Sequence, residues 1–251
     1  MIKLKSKREI QLMRDAGKIV AEVLQEMEKT IDAGVTTAKL NKIAEKRIRS
    51  YSAEPAFLGY HNFPASICTS INSEVVHGIP GLRRLEEGDI ISIDVGVRLK
   101  GYHGDAAATF AVGEVTPQAR KLMDVTRTSL QEAIKATQAG NRLSDISHAV
   151  QAYVEKNSLS VVRNYVGHGI GEDMHEEPQV PNFGQPGRGP ALQQGIVLAI
   201  EPMVNIGSWE VKVLDDQWTV VTADGSLSAH FEHTVALGNN GPEILTSSDL
   251  V

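Results

Sequence analysis

Four acidic residues stand in contexts that normally bury side chains. Asp94 interrupts "IISIDVGV", Asp105 follows His-Gly in "HGDAAATF", Glu201 sits in "IVLAIEPMV" and Glu232 in "AHFEHTVAL". Any one of them alone reads as a solvated strand acid or a salt-bridge partner. Four together are harder to house, because a buried carboxylate needs a partner and neighbouring carboxylates cannot all stay ionised alone. Two divalent cations would cancel the four negative charges. His168, between glycines in "GHGIG" that let backbone approach closely, is a natural fifth ligand. Oxygen ligands with one imidazole suit Mn, Fe(II), Co or Zn, and neither a Cys-rich zinc pattern nor H-E-x-x-H occurs. The chemistry this ligand set supports is two-metal hydrolysis.

The elements that must position these residues repeat along the chain. "LQE" at 24 and 130 and "AG" at 33 and 139 share an offset of 106. "EGDIISID" and "QGIVLAIE" are offset by 107, which sets Asp94 against Glu201, while "HGDAAAT" resembles "HFEHTVA" and sets Asp105 against Glu232. A spacing this nearly constant favours internal duplication over chance recurrence. A first helix starts at the Ser6–Glu9 capping box, carries the stripe Ile10, Met13, Val20, Val23, Leu24, Met27 and Ile31, and has Gly34 as its C-cap. A second runs from 37 to 50, and the second half repeats the plan at 117–138 and 143–156. Strands follow each helix pair. A hairpin about "RLKGY" would set Asp94 close to opposite Asp105, and "ADGS" at 223–226 signals a hairpin between "WTVVT" and "SLSAHFEHT". The class is α+β, with helices covering one face of a mainly antiparallel sheet. The 251 residues form one domain of two halves, roughly 1–115 and 116–251.

Composition bounds the alternatives. Hydrophobic content of 41% and charged content of 22% are ordinary for a globular protein, and a formal net charge of -6 argues against direct nucleic-acid binding. Cys68 is the only cysteine, so no internal disulfide can form. The start "MIKLKSKREI" has no apolar signal region, and no run of about 18 apolar residues exists, so a cytoplasmic protein without membrane contact is expected.

At this point a resemblance becomes specific. "VVHGIP", "IDVG", "GYHGDAAATF", "GHGIG", "MHEEP", "AIEPM" and "FEHT" occur in the order and spacing of type I methionine aminopeptidases, over essentially the whole chain. The chain resembles the short bacterial form, without an N-terminal zinc-binding extension or the helical insert of type II. The resemblance implies the pita-bread fold, whose two pseudo-symmetric halves carry helices over a curved, mainly antiparallel sheet. It also implies a metal-dependent exopeptidase that removes N-terminal Met from peptides and nascent chains, preferring a small second residue. Asp94 would chelate one of two divalent ions (Co, Mn, Fe(II) or Zn) and His168 and Glu201 the other, with Asp105 and Glu232 bridging. Glu201 would shuttle the proton, His175 would stabilise the oxyanion, and His77 would orient the amide. His103, His230 and His233 stand as supports beside the ligands, while His61 and His148 are read as structural. By family position the methionine pocket would use Phe57, Tyr60, Phe63, Cys68, Met174 and Trp218. Phe57, Phe63 and Met174 depart from the Cys, Tyr and Phe of some members, which leaves pocket shape open. Cys68 is not expected to be catalytic. A monovalent-cation site would lie near Asn72, Glu74 and Ser228. A monomer is implied, meeting nascent chains at the ribosome through Lys3, Lys5, Lys7 and Arg8. Two rivals stay open: another pita-bread hydrolase such as a prolidase or aminopeptidase P, and a binding module without activity.

Overall fold

A computed structural model describes residues 2–247. Helices α1 (Lys7–Thr30) and α2 (Thr37–Ser50) precede β1 (Glu54–Pro55), a single 3-10 turn at Tyr60–Asn62, β2 (Cys68–Ile71), β3 (Glu74–Val76), β4 (Ile90–Leu99) and β5 (Tyr102–Ala111). A second helix pair, α3 (Pro117–Ala136) and α4 (Leu143–Lys156), precedes β6 (Ser160–Val161), β7 (Gly167–Gly169), β8 (Glu176–Val180), β9 (Val197–Ile200) and β10 (Met203–Asn205). The chain continues through β11 (Val211–Val213), β12 (Val220–Thr222), β13 (Ser228–His230), β14 (His233–Gly238) and β15 (Gly241–Ile244). Among the described residues, no helix is long and apolar enough to cross a membrane.

Local chemistry sets the helix ends. Ser6 Oγ accepts from the Glu9 N–H at 3.3 Å while Glu9 Oε2 accepts from the Ser6 N–H at 2.7 Å, so two of the orphan donors at the start of α1 are satisfied reciprocally. Met13, Ala16, Val20, Val23, Leu24 and Met27 form its buried face. The helix stops at Thr30, and Ile31 rather than Gly34 caps it. Gly34 lies in the turn beyond, at φ +85, with its N–H bonded to Leu85 O at 2.7 Å. Likewise α3 ends at Ala136, short of 138, where Thr137 leaves helical geometry and donates back to Ile134 O. One apolar core takes in side chains from all four helices and from strands of both halves.

All strand pairs are antiparallel and fall into four sheets. The β4–β5 hairpin turns through Lys100 and Gly101, both with positive φ, in a two-residue loop that sets Leu99 opposite Tyr102. This shifts the expected register. Asp94 faces Ala107 and Asp105 faces Gly96, so the two acids are diagonal neighbours on one face rather than opposite partners. The turn at 223–226 also joins strands of different sheets: β12 pairs with β11 and β3, and β13 pairs with β10.

The two remaining acid-bearing segments are not continuous strands. β9 and β14 belong to the five-stranded sheet, whereas β10 and β13 belong to a three-stranded one. Glu201 lies at the break between β9 and β10, and Glu232 at the break between β13 and β14, so each acid sits where the chain crosses between sheets. The 230–234 segment is also fastened to β5. Thr234 Oγ1 donates to Asp105 O at 2.8 Å and accepts from Asp105 N at 3.0 Å, Glu232 N donates to Ala107 O at 2.9 Å, and Thr109 Oγ1 donates to His230 O at 2.8 Å. These bonds seat Asp105 beside Glu232 across the two halves.

Helix α1 holds β5 from behind at very short range. A Cβ on Gly104 would lie 2.8 Å from Gly17 N, and a Cβ on Gly17 would lie 2.2 Å from Leu245 O. Alanine ordinarily stabilises a helix interior by about 1 kcal/mol relative to glycine. Gly17→Ala is expected to destabilise instead, by roughly 1–3 kcal/mol, because the methyl meets backbone that cannot yield. A urea-unfolding midpoint equal to or above that of the parent chain would refute the tight contact.

Candidate metal centre

Asp94, Asp105, His168, Glu201 and Glu232 all line one cavity of about 590 Å³. Ligand atoms of Asp105, His168 and Glu232 lie within 4.8 Å of one another, and all three residues are buried. His168 Nε2 is 3.7 Å from Glu201 Oε1 and 3.9 Å from Asp105 Oδ2. These gaps are too long for hydrogen bonds. They match ligand spacing instead, since ligands about 2.1 Å from one ion sit roughly 3–4 Å apart. Asp94 Oδ1, Asp105 Oδ1 and Glu232 Oε1 are buried with no hydrogen-bond partner. Orphaned carboxylate oxygens of this kind are costly unless a cation meets them, so the donor set fits hard or borderline divalent ions.

Electrostatics points the same way. Burial pushes the Asp94 carboxyl up to about 7. Burial also raises Asp105 well above the carboxylate range, with the Glu232 and Asp94 charges adding to it, and raises Glu201 and Glu232 for the same kinds of reason. The imidazoles are driven the opposite way. Burial, with His175 nearby, takes His168 down to about 3 and His77 to about 4. His168 is therefore a neutral ring. Its Nδ1 lies 2.9 Å from Gly169 O, a contact that places the ring proton there and leaves the Nε2 lone pair facing the acids. The flanking glycines make this possible: a Cβ at 167 would lie 2.4 Å from Ala199 O, and one at 169 would lie 2.3 Å from Glu177 O.

The other histidines surround the cluster. The His175 ring packs against His168 at a tilt of 58° with centroids 4.2 Å apart, and its Nδ1 lies 2.7 Å from the Tyr60 hydroxyl. His77 has φ +61 and meets Trp218 and Tyr165 edge-on. His230 Nε2 is 3.8 Å from Glu201 and 3.9 Å from Glu232. His103 Nδ1 bonds Gly171 O, tying β5 to the loop that carries His175, and His233 Nδ1 bonds Thr246 Oγ1. His61, read from the sequence as structural, lines the cavity and packs edge-on against Tyr60. Its left-handed backbone, φ +47, aims it there, and a positive φ at a non-glycine residue has no sequence signature.

Phe57, Tyr60, Phe63, Cys68 and Trp218 form the apolar side of the same cavity, with Phe63 and Trp218 edge to face at 5.1 Å. Met174 stands behind Phe57 rather than on the wall: both reach the space above Gly96, and Met174 lines an adjoining groove. Burial pushes the Cys68 thiol well up, so it stays protonated and is no nucleophile. At the second cation position the side chains are already engaged. Asn72 bonds Asp89 and Ile90, and Glu74 bonds Ile71 N and Arg83.

The basic N-terminal patch is only partly available. Lys5 is buried and pairs with Glu176 at 2.5 Å, which leaves Lys7, Arg8 and Lys3, the last 3.4 Å from Asp173, as exposed cations. Lys5 therefore belongs to the support of the 171–176 loop and not to an outer docking face. The pair could not be anticipated, because its partners are 171 residues apart.

Comparison with known proteins gives the lineage. The model of metallopeptidase family M24 matches residues 11–239. A methionine aminopeptidase of Clostridium acetobutylicum is 59% identical over 247 residues, covering 98% of this chain and 99% of that protein. Crystal structures of methionine aminopeptidases superimpose closely. That from Rickettsia prowazekii has a TM-score of 0.97 at 43% identity, over 98% of this chain and 100% of that one. That from Thermotoga maritima has a TM-score of 0.97 at 46% identity, over 99% and 100%. The pita-bread α+β fold implied by the motifs is the fold observed. Likeness of this extent, carried through sequence and structure alike, makes the chain a member of metallopeptidase family M24.

Proposed function

We propose that this metallopeptidase is a dinuclear-metal aminopeptidase that removes N-terminal methionine from peptides and nascent proteins, preferring a small second residue. The observation that carries the reading is one cavity with two unlike walls: orphaned carboxylate oxygens with His168 on one side, and the Phe63–Trp218 ring pair on the other. Asp94, Asp105, His168, Glu201 and Glu232 would hold the ions, two of which are expected from the four carboxylates. Divalent ions bound there supply Lewis acidity and acidify water toward neutral pH. Glu201, buried at the edge of the cluster with a raised pKa, takes a proton from the attacking water and returns it to the leaving nitrogen. His175, neutral by burial and by the nearby His61 and His103, donates a hydrogen bond to the carbonyl oxygen as charge develops. His77 orients the amide from the Trp218 side. The aromatic wall would receive an unbranched apolar side chain.

We further read the chain as one domain of two pseudo-symmetric halves, acting in the cytoplasm as a monomer. Any ribosome contact would use the exposed Lys3, Lys7 and Arg8. A monovalent cation near Asn72, Glu74 and Ser228 would have to bind main-chain oxygens, because the side chains of the first two are occupied.

Metal-stripped protein is expected to release no Met from Met-Ala-Ser, and added Mn, Fe(II), Co or Zn should restore release. Glu201→Ala should abolish it. Release from the stripped protein, or none with any ion, would overturn the assignment, and cleavage of Ala-Pro in its place would favour a prolidase.

Ion binding is also expected to stabilise the fold. At about 100 times Kd a ligand adds about 2.7 kcal/mol. For a chain of this size that corresponds to a rise of roughly 5–11 °C in Tm. Asp105→Asn should lose most of the rise, and an equal rise in the variant would remove Asp105 from the ligand set.

Trp218→Ala should lower kcat/KM for Met-Ala-Ser by roughly 10- to 200-fold, the usual cost of lost apolar pocket contact. An unchanged value would place the methionine side chain elsewhere.

A further inference from the structure

We propose that Tyr60 is a positioning residue for the reaction: its hydroxyl donates to Nδ1 of His175 across 2.7 Å and holds that ring in the tautomer whose Nε2 carries the proton. The proposal rests on the reading of His175 as donor to the substrate carbonyl.

A neutral imidazole has one N–H, and the partner of one nitrogen decides which it is. Among the described residues, His175 Nδ1 is the one hydrogen-bond partner of the Tyr60 hydroxyl. Burial, with Asp173 nearby, raises the Tyr60 pKa, so the phenol keeps its proton and has it to give. Once Nδ1 accepts that proton's hydrogen bond, Nε2 on the far edge of the ring becomes the donor. In the reverse arrangement Nδ1–H would point at Tyr60, and Nε2 would present a lone pair that repels a developing oxyanion.

Position is fixed as well as tautomer. The His175 ring lies between the Tyr60 ring, with centroids 5.3 Å apart and 34° between planes, and the His168 ring at 4.2 Å. Tyr60 is itself held on a closed loop, where Gly59 N bonds Phe63 O at 2.9 Å and Tyr60 N bonds Phe57 O at 2.9 Å. His61 and Asn62 have positive φ, a backbone that non-glycine residues keep only where surrounding contacts enforce it, and Gly59 makes the left-handed turn before them. The hydroxyl is therefore presented by a stiff support, whereas a plain aromatic wall would need only the ring.

Tyr60→Phe separates the two roles, because it keeps the ring and removes the hydroxyl. We expect kcat for Met-Ala-Ser to fall about 10- to 100-fold, somewhat less than loss of an oxyanion donor itself. KM should change by less than about twofold, and the metal-induced rise in Tm should persist. Nitrogen-15 NMR of histidine-labelled, zinc-loaded protein reads the tautomer directly, with the His175 signals assigned by their loss in His175→Gln. The parent protein should show a protonated Nε2 and an acceptor Nδ1, and Tyr60→Phe should show mixed protonation. A proton on Nδ1 in the parent would overturn the proposal, as would an unchanged kcat in Tyr60→Phe or a change in KM alone. If the parent releases no Met at all, the reading of the reaction fails, and the NMR result still decides whether Tyr60 sets the His175 tautomer.

Discussion

Four carboxylates buried in one cavity repel one another, and the architecture around this centre follows from that constraint. Burial raises the Asp94 pKa to about 7, and burial together with neighbouring carboxylate charge raises the other three well above the usual range. At neutral pH such a cluster is at ease only if protons or cations share it. Divalent ions do this with far more charge per site, and His168, neutral and presenting Nε2, supplies a donor that adds no further negative charge. The same cluster without ions would be among the most costly features a core can carry. The fold has to hold the acids together against their own repulsion.

It does so with backbone rather than with side-chain countercharge. Asp94 and Asp105 share a face of one hairpin, while Glu201 and Glu232 occupy breaks where strands pass between sheets. A strand break is a suitable place for a ligand, because the side chain there is not bound to alternate with its neighbours and can be re-aimed. The bonds from Thr234 and Thr109 to the 105 and 230 positions then lock the two halves in register, and α1 presses on β5 through Gly17 and Gly104 with no side chain between. The 171–176 loop, which brings His175 over His168, is held by the buried Lys5–Glu176 pair on one side and by His103 on the other. Breaking a buried ion pair leaves a stranded charge.

What could be read from the sequence divides along physical lines. The helix starts and the α+β class were legible, because apolar periodicity and capping chemistry are local signals, and acids in apolar runs marked residues that the fold brings to one cavity. The "GHGIG" and "FEHT" segments carried the resemblance that located His168 and Glu232. Register was not legible. Asp94 and Asp105 looked like opposite partners until the turn proved to be Lys100–Gly101. A single-residue uncertainty at a turn shifts every cross-strand pair. The breaks at Glu201 and Glu232 were equally hidden, because a strand that changes sheets keeps its apolar composition. Lys5 appeared as one of a run of surface cations, and only tertiary contact reveals it as buried. Met174 illustrates a smaller limit: its family position is on the pocket, yet here its side chain supports Phe57 from behind.

The histidines show how one cavity can give a single residue type several roles. Eight are present, and burial, with neighbouring imidazoles adding to it, lowers the pKa of His77, His168 and His175 in the cavity. Neutrality leaves the outcome to the second nitrogen of each ring. His168 donates a hydrogen bond from Nδ1 to Gly169 O and turns Nε2 toward the acids, His103 contacts Gly171 O and anchors a loop, and His175 meets a tyrosine hydroxyl. A carbonyl can only accept, so the Gly169 contact forces His168 to present a lone pair toward the acids. A hydroxyl that donates to Nδ1 leaves His175 with its N–H on Nε2, the arrangement proposed for Tyr60. The two rings, with centroids 4.2 Å apart and 58° between planes, would then present opposite hydrogen-bonding edges to the cavity, a lone pair from one and an N–H from the other.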